Sequence, residues 1–357
     1  MFSIKSNNTK EYLLQRLKDE TGVPREDNRT HDKYRKISIT PLTKNLNSPI
    51  EVKIGETLII SQIYSKLTSP YIDKPNEGII SFSIDTNYLK PNADYNVSNE
   101  DLNEFRIKIS NYLEKSLRES KALDSNSLCV IPNKLVWKIV IDINIINYDG
   151  NAIDASLISA LASWLTYKIP FLRVKNDKIY YDNFINLTLI HMPISITYGI
   201  LLNEDKILFI LDCDLLEENV MNGFISICAN IFKEICYMQM NSNVQVGSKD
   251  IKDLTNNIHV KIKEIHNIIK KFVKDINLKY EKIIKKKISM LNNDNDIKNN
   301  DDNDYNEDYE MEDDFENFGF DNNEIDKDVK FKEKINNNEE KMKKKKRGIQ
   351  ILNYKKE

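Results

Sequence analysis

Carboxylates stand close together at two points of the sequence where a predicted strand gives way to a predicted helix. They are Asp142, Asp149 and Asp154 at the first turn, and Asp212, Asp214, Glu217 and Glu218 at the second. Grouped carboxylates beside anion donors can support phosphoryl transfer or acid–base chemistry. Carboxylates at the start of a helix are more often caps or partners of the helix dipole. The residues alone leave both interpretations open.

Basic side chains form a second group, on a helix predicted over residues 100–120 with Ser98 or Asn99 as its cap. The helix has an apolar stripe at steps of three or four residues. Off this stripe lie Arg106, Lys108, Lys115, Arg118 and Lys121. Lys115 and Arg118 are three apart and are therefore expected to be neighbours on the helix surface. They could bind the phosphate backbone of a nucleic acid, or they could form an ordinary solvated face.

The sequence lacks the motifs of several classes of enzyme and binding site. No GxxxxGK[ST] or GxGxxG phosphate loop and no Gly-x-Ser-x-Gly elbow occurs, and the chain has only nine glycines. The cysteines form no CxxC pair, so neither a zinc site nor a disulfide framework is indicated, and buried thiols in a reducing compartment are expected. They are Cys129, Cys213, Cys228 and Cys236. We therefore predict no metal and no cofactor.

Charge is distributed unevenly along the 357 residues, although the formal net charge is only −3. Residues 294–328 carry 16 Asp and Glu against two lysines, and residues 329–357 carry 11 Lys and Arg against four Glu. Such segments cannot bury enough apolar surface to offset chain entropy, which predicts a disordered tail over 291–357.

The first residues show no secretory signal. The uncharged stretch 183–203 is interrupted by Asn, His, Pro and Gly, which favours two strands over a membrane span.

The hydrophobic pattern predicts an α+β fold. Helices are expected at about 10–19, 100–120, 152–168 and from 248 towards 290. Strands are expected at 34–40, 50–54, 57–67, 78–85, 134–147, 193–202, 206–212, 220–229 and 233–240. Strands and helices recur in two similar passes, which suggests one duplicated domain over 1–290, with halves at about 25–180 and 181–290.

A series of strings resembles one known family. Arg25-Glu26-Asp27-Asn28-Arg29, followed by Tyr34-Arg35, resembles the R-x-D-G-R…Y-R opening of ribonuclease PH-like exosome ring subunits. Further matches follow in the same order, in Leu117-Arg118-Glu119-Ser120, Asp149-Gly150-Asn151, His191-Met192-Pro193-Ile194 and Glu217-Glu218. The family glycine is Asn28 here, and asparagine is among the few residues that tolerate a left-handed backbone.

This resemblance implies a ribonuclease PH-like fold, made of two halves of the ribosomal protein S5 domain 2-like type. It also implies a hexameric ring with other subunits of the family, S1/KH cap subunits and an associated exoribonuclease around an RNA channel, in the nucleus, nucleolus and cytoplasm, with no membrane partner. The residues expected to contact RNA are Arg118, Lys115, Arg106 and Lys74.

Phosphorolytic members of the family hold phosphate through a Gly-Ser/Thr-Arg turn, a helix arginine and aspartates. The turn here reads Gly150-Asn151-Ala152-Ile153, and an isoleucine cannot replace the charged fork of an arginine. Arg118 falls at the position of the helix arginine and Asp212 at the first aspartate, and Glu218 replaces the second aspartate. The resemblance therefore implies a degenerate phosphate site at Gly150, Asn151, Asp212 and Glu218, and no catalytic residue. An active phosphate-dependent exoribonuclease is the alternative.

Overall fold

The larger sheet lies in the N-terminal half of the chain. The computed structural model describes residues 7–18, 25–89, 98–175, 178–204 and 206–298. The strands run in the order β1-β2-β3-β6-β4, with β5 on β6, and only the pairing of β4 with β6 is parallel. Their bounds are β1 Ile37–Pro41, β2 Ile50–Ile54, β3 Thr57–Thr68, β4 Ile79–Asp85, β5 Cys129–Ile131 and β6 Leu135–Asn147. Alternate residues of β2 and β6 are fully buried, as a sheet with one covered face requires.

A smaller antiparallel sheet follows in the order β10-β9-β11-β12. Its strands are β9 Ile194–Asn203, β10 Lys206–Leu211, β11 Gly223–Ala229 and β12 Ile235–Ser242. A separate hairpin, β7 Lys168–Lys175 with β8 Lys178–Asn186, joins the two sheets along the chain. The predicted boundary between the two halves, at 180/181, falls within β8.

Helix α3 occupies the centre of the molecule. The helices are α1 Asn7–Lys18, α2 Asn99–Leu113, a π-helix Glu114–Glu119, α3 Ala152–Thr166, α4 Leu215–Glu218 and α5 Ser248–Lys298. α3 contacts β2, β3, β9, α2 and α5, and all but two of its 15 residues are buried. Small side chains permit this close packing, and Ser61 of β3 donates a hydrogen bond to the Ser159 carbonyl at 2.9 Å. One core therefore joins both sheets.

The α+β fold predicted from the sequence is confirmed, with corrections at particular elements. The helix predicted over 152–168 ends at Thr166, and Lys168 already belongs to β7, which was not predicted. α5 continues to Lys298, eight residues beyond Met290, where the predicted folded domain ends. The rest of the predicted tail, 299–357, lies outside the described residues. Within the described ranges, no helix is long and apolar enough to span a membrane.

Candidate functional site

Three arginines from the segment before β1 enter the protein interior. Arg25, Arg29 and Arg35 are between 1% and 8% exposed, and all three reach the connection between β10 and α4. There they meet the buried carboxylates of Asp212 and Glu217. We call these five residues the arginine cluster. Each charged group has an opposite charge beside it, as burial of charge requires.

Asp212 is the centre of the arginine cluster and is fully buried. The Nε and Nη2 atoms of Arg35 donate to its two carboxylate oxygens, each at 2.9 Å, and the Arg35 amide donates at 2.8 Å. Arg29 Nη1 adds a contact at 3.2 Å. Burial by itself raises the pKa of Asp212, but the hydrogen bonds and charge of Arg35 outweigh it and hold the pKa below its ordinary value. Asp212 is therefore an ionised internal partner of the arginines.

Arg25 ties the opening segment to the end of β10. Its Nε donates to Glu217 Oε1 at 2.6 Å, and Nη2 pairs with the other carboxylate oxygen. Its remaining hydrogen bonds go to the backbone carbonyls of Leu211 and Asp212, at 2.8 and 2.9 Å. Glu217 also completes the capping box of α4 with Asp214. The Glu217 carboxylate thus caps the first turn of α4 and also pairs with the Arg25 guanidinium.

The turn before α3 packs directly against this cluster. Gly150 has φ +83°, and a Cβ there would lie 2.5 Å from the Cys213 carbonyl oxygen, so only glycine fits. Asn151 has φ +56°, and its side-chain amide donates to Asp212 at 2.6 Å. Its backbone amide donates to Glu218 at 2.8 Å. The structure therefore brings Gly150, Asn151, Asp212 and Glu218 together.

Burial raises the pKa of several carboxyl groups around the turn. Burial raises the pKa of Glu218 to about 7, although Glu218 accepts hydrogen bonds from the Asn151 amide and the Tyr148 hydroxyl. Burial also raises the pKa of Asp154 and that of Asp214 to about 6. The Asp154 carboxylate accepts bonds from Tyr34, Asn151 and Thr197. These carboxyls are satisfied from within the chain.

The arrangement binds three parts of the same chain to one another. The carboxylates face arginine, amide and hydroxyl donors, and Arg29 Nη2 is the one guanidinium nitrogen of the cluster that is buried without a partner. Ile153, in the turn where the family carries an arginine, is partly buried and packs against the main core. Among the described residues, no group of three or more His, Cys, Asp or Glu could hold a metal ion. The cluster is a structural junction.

The basic residues predicted to contact RNA lie elsewhere, and most face solvent. Arg118 is exposed and forms an ion pair with Glu114. The ammonium of Lys115 lies 5.5 Å from the centre of the Tyr237 ring on β12. Arg106 is partly exposed on α2. Lys74 is exposed in the turn before β4, with Glu77 at 2.9 Å.

The prediction of a regular helix through residue 120 is wrong beyond Leu113. The amide of Ser120 donates to the Lys115 carbonyl at 3.2 Å, which is the five-residue spacing of a π-helix. Because a π turn is wider than an α turn, residues three apart on it point in more divergent directions. Lys115 lies over the Tyr237 ring whereas Arg118 pairs with Glu114, so the two side chains have different partners, and their adjacency on the helix surface stays a prediction.

Sequence reasoning missed the role of the three arginines. Charged residues in an irregular segment are ordinarily solvated, so nothing in the local pattern indicated that Arg25, Arg29 and Arg35 are buried. The usable signal was the acidic group at 212–218, because buried carboxylates require buried cations. Asn28 has φ +62°, so the left-handed turn expected at this position is present.

Comparison with known proteins identifies the family. Residues 33–170 match the RNase PH model, described as 3′ exoribonuclease family, domain 1. The exosome complex component rrp45 of Schizosaccharomyces pombe is 33% identical over 236 residues, which cover 65% of this chain and 78% of the relative. The chain belongs to this family of exosome components. RRP45A of Arabidopsis thaliana is 34% identical over 215 residues, covering 58% of the chain and 67% of the relative.

The family relatives extend beyond the matched region. RRP45 of Bos taurus is 28% identical over 271 residues, covering 74% of this chain but 59% of the relative. The chain therefore spans about three-fifths of the length of that relative. The motif series alone also fits the sister ring subunits 43 and 42, whereas the relatives named here are all of the 45 type.

Two solved structures share the fold. The Archaeoglobus fulgidus exosome with RNA bound to the active site has a TM-score of 0.62 at 23% identity, covering 73% of this chain and 97% of that one. An archaeal exosome core has a TM-score of 0.60 at 24% identity, covering 74% and 96%. The RNase PH-like fold is thus established for this member of the family.

Proposed function

We propose that this chain is a non-catalytic structural and RNA-guiding subunit of the exosome core ring. In this role it supports 3′-to-5′ RNA processing and degradation, including rRNA maturation and mRNA turnover. Membership of the RRP45 family and the shared fold support the proposal. Its proposed partners are other RNase PH-like subunits in a hexameric ring, S1/KH cap subunits, an associated exoribonuclease and RNA. Its proposed locations are the nucleus, including the nucleolus, and the cytoplasm.

The filled arginine cluster is the observation that carries the non-catalytic part of this proposal. Asp212, expected near a scissile bond in active relatives, is fully buried and accepts bonds from Arg29, Arg35 and Asn151. A phosphate ion would have to displace these donors, and Ile153 offers it no charge. The rival function, an active phosphate-dependent exoribonuclease, needs an accessible phosphate cradle.

RNA guiding is assigned to basic side chains outside this cluster. The side chains are exposed or partly exposed; they are those of Arg118, Lys115, Arg106 and Lys74. Contacts of this kind bind phosphates without reading sequence. Such binding suits a subunit that guides many RNAs.

The hairpin of β7 and β8 supports assembly with other subunits. It pairs with neither sheet, and Phe171 and Ile185 on it are 47% and 41% exposed. A two-stranded hairpin with exposed apolar side chains is marginally stable by itself. A neighbouring ring subunit packed against it would cover this surface.

Affinity purification of a tagged full chain, followed by mass spectrometry, tests the proposal. Five other ring-type subunits should co-purify in comparable amounts. Phe171→Asp should reduce their recovery, whereas Val260→Asp, at an exposed position on α5, should not; circular dichroism would check that both variants are folded. Recovery of the wild-type chain without other ring subunits would contradict the proposal.

A further inference from the structure

Two of the four cysteines lie beside each other on neighbouring strands of the smaller sheet. Cys228 is on β11 and Cys236 on β12, and these strands pair in antiparallel register. Cys228 lies opposite Tyr237, and the next pair is Ala229 with Ile235. Cys236 is therefore the extra residue of a β-bulge, next to the position that faces Cys228.

The bulge brings the two thiols to one side of the sheet. In such a bulge, both residues of the longer strand lean towards the single residue opposite them. The two thiols lie close enough that each shifts the pKa of the other, and the Cys236 thiol donates to the Glu234 carbonyl at 3.8 Å. Cα atoms of facing residues on antiparallel strands are about 4.5–5.5 Å apart, and Cys236 is the immediate neighbour of Tyr237, the residue that faces Cys228.

The two thiols differ in exposure and in acidity. Cys228 is fully buried, and burial raises its pKa well above the ordinary value. Cys236 is partly exposed, and the hydrogen bond from Cys228 lowers its pKa, against the opposing effects of partial burial and the Glu234 carboxylate. A reagent from solvent meets Cys236 first, and the thiolate is the reactive form.

We propose that Cys228 and Cys236 are a reversible disulfide site, closed by a disulfide oxidant such as glutathione disulfide. The Cys236 thiolate attacks one sulfur of the oxidant, breaks its S–S bond and releases one glutathione thiolate. Cys228 then loses its proton and attacks the Cys236 sulfur of the mixed disulfide, which releases the second glutathione. The two protein thiols lose two electrons and two protons, and the oxidant is reduced to two thiols.

The other two cysteines serve as internal controls. Cys129 is partly exposed on β5 and lies opposite Val136. Cys213 is buried, and burial raises its pKa well above the ordinary value. Within the described part of the chain, neither lies opposite another cysteine in a strand pair.

The closed bridge would fix the bulge at the start of β12. Tyr237, the residue after Cys236, packs edge-on against Tyr112 with ring centres 5.2 Å apart and lies under Lys115. Oxidation would therefore slow backbone hydrogen exchange in 235–242, because the strand could no longer separate from β11.

Incubation of the native full chain with glutathione disulfide, followed by acid quenching, alkylation and intact mass measurement, tests the site. The wild-type chain should lose two alkylatable thiols and two hydrogens in mass, with a crosslinked peptide joining residues 228 and 236, and dithiothreitol should reverse both. Cys129→Ser should close in the same way. Cys228→Ser should stop at a single glutathione adduct on Cys236, and Cys236→Ser should remain reduced at Cys228.

A stable glutathione adduct on Cys236 of the wild-type chain, without an internal bridge, would overturn the proposal. So would an unreactive Cys236, or a bridge that includes Cys129. The readout is chemical and does not depend on ring assembly, so its outcome is separate from that of the proposed function.

Discussion

The guanidinium of Arg35 lies inside the protein and binds both oxygens of Asp212 while it also reaches the Asp149 carbonyl at 2.5 Å. A lysine would keep the charge but could not reproduce this fork. We expect Arg35→Lys to lower the free energy of unfolding by about 3 kcal/mol, since the buried carboxylate would lose part of its pairing. Denaturant unfolding of the purified full chain measures this difference.

The matched control is Lys53→Ala, which removes an exposed ion pair with Glu56 at 3.0 Å. Because surface pairs contribute little, we expect this variant to change stability by less than about 1 kcal/mol. Equal stability of the Arg35→Lys and wild-type chains would show that the arginine cluster does not hold the fold together.

Glu218 gives the protein a specific dependence of stability on pH. Its pKa is raised from the ordinary 4.5 to about 7 by burial, so between these values the folded state keeps a proton that the unfolded state has released. Stability from this group is full below the ordinary pKa and is lost as pH rises towards 7. Glu218→Gln should remove this loss, which amounts to at most about 3 to 4 kcal/mol.

Unfolding free energies of the full chain at several pH values between 4.5 and 8 measure this effect. The exposed Glu56→Gln is the control and should retain the wild-type slope. If Glu218→Gln also retains that slope, another group is responsible for it.

Sequence alone indicated grouped carboxylates here, but their protonation depends on burial, which a linear pattern does not show.

At the scale of elements, a π-helix replaces the regular helix end that the sequence predicted for the segment with Lys115 and Arg118. The helix itself was predictable, because its apolar stripe and its capping box at Ser98 and Asp101 are local signals. The change to π geometry at Glu114 depends on packing against β4 and β12 and leaves no comparable signal. The β7–β8 hairpin was missed for a similar reason, since few of its residues alternate in polarity.

Lys115 and Arg118 are expected to act as separate phosphate contacts. In the assembled ring, Lys115→Ala and Arg118→Ala should each weaken RNA binding and reduce the slope of log affinity against log salt by about one unit. Glu114→Gln should strengthen binding, because it frees Arg118 from its ion pair. RNA titrations at several salt concentrations measure this, with the exposed Lys252→Ala on α5 as control. Unchanged slopes in both alanine variants would show that these residues form a solvated face.

At the scale of the whole molecule, the order of elements was largely predictable and their assembly was not. Strand periodicity and helix stripes located both sheets and the long helices. The position of α3 between the sheets depends on its contacts with strands of both sheets. The junction of the opening segment with the β10–α4 connection depends on contacts between residues more than 170 positions apart. The family motifs, which occur in the same order as in the relatives, indicated how the elements assemble into a fold. Hydrophobic periodicity alone did not indicate this.

The charged tail is expected to affect where the protein resides. Lys341 and residues 343–347 form a dense basic run of the kind that acts in nuclear import or nonspecific nucleic-acid contact. Because α5 continues to Lys298, truncation should follow that residue. We expect the truncated, tagged chain to co-purify with the same ring subunits and to show less nuclear signal by imaging. Unchanged nuclear signal would exclude an import role for the tail.

The central claim is that the chain, as the proposed ring subunit, has no phosphorolytic activity of its own. The direct measurement is the release of nucleoside diphosphates from RNA in phosphate buffer by the chain paired with a ring partner whose own phosphate site has been mutated. The same pair with an intact partner is the reference. Our account predicts no phosphate-dependent release from the mutated pair, because Asp212 is occupied by arginines and Ile153 supplies no charge. Robust phosphate-dependent release from that pair would contradict it.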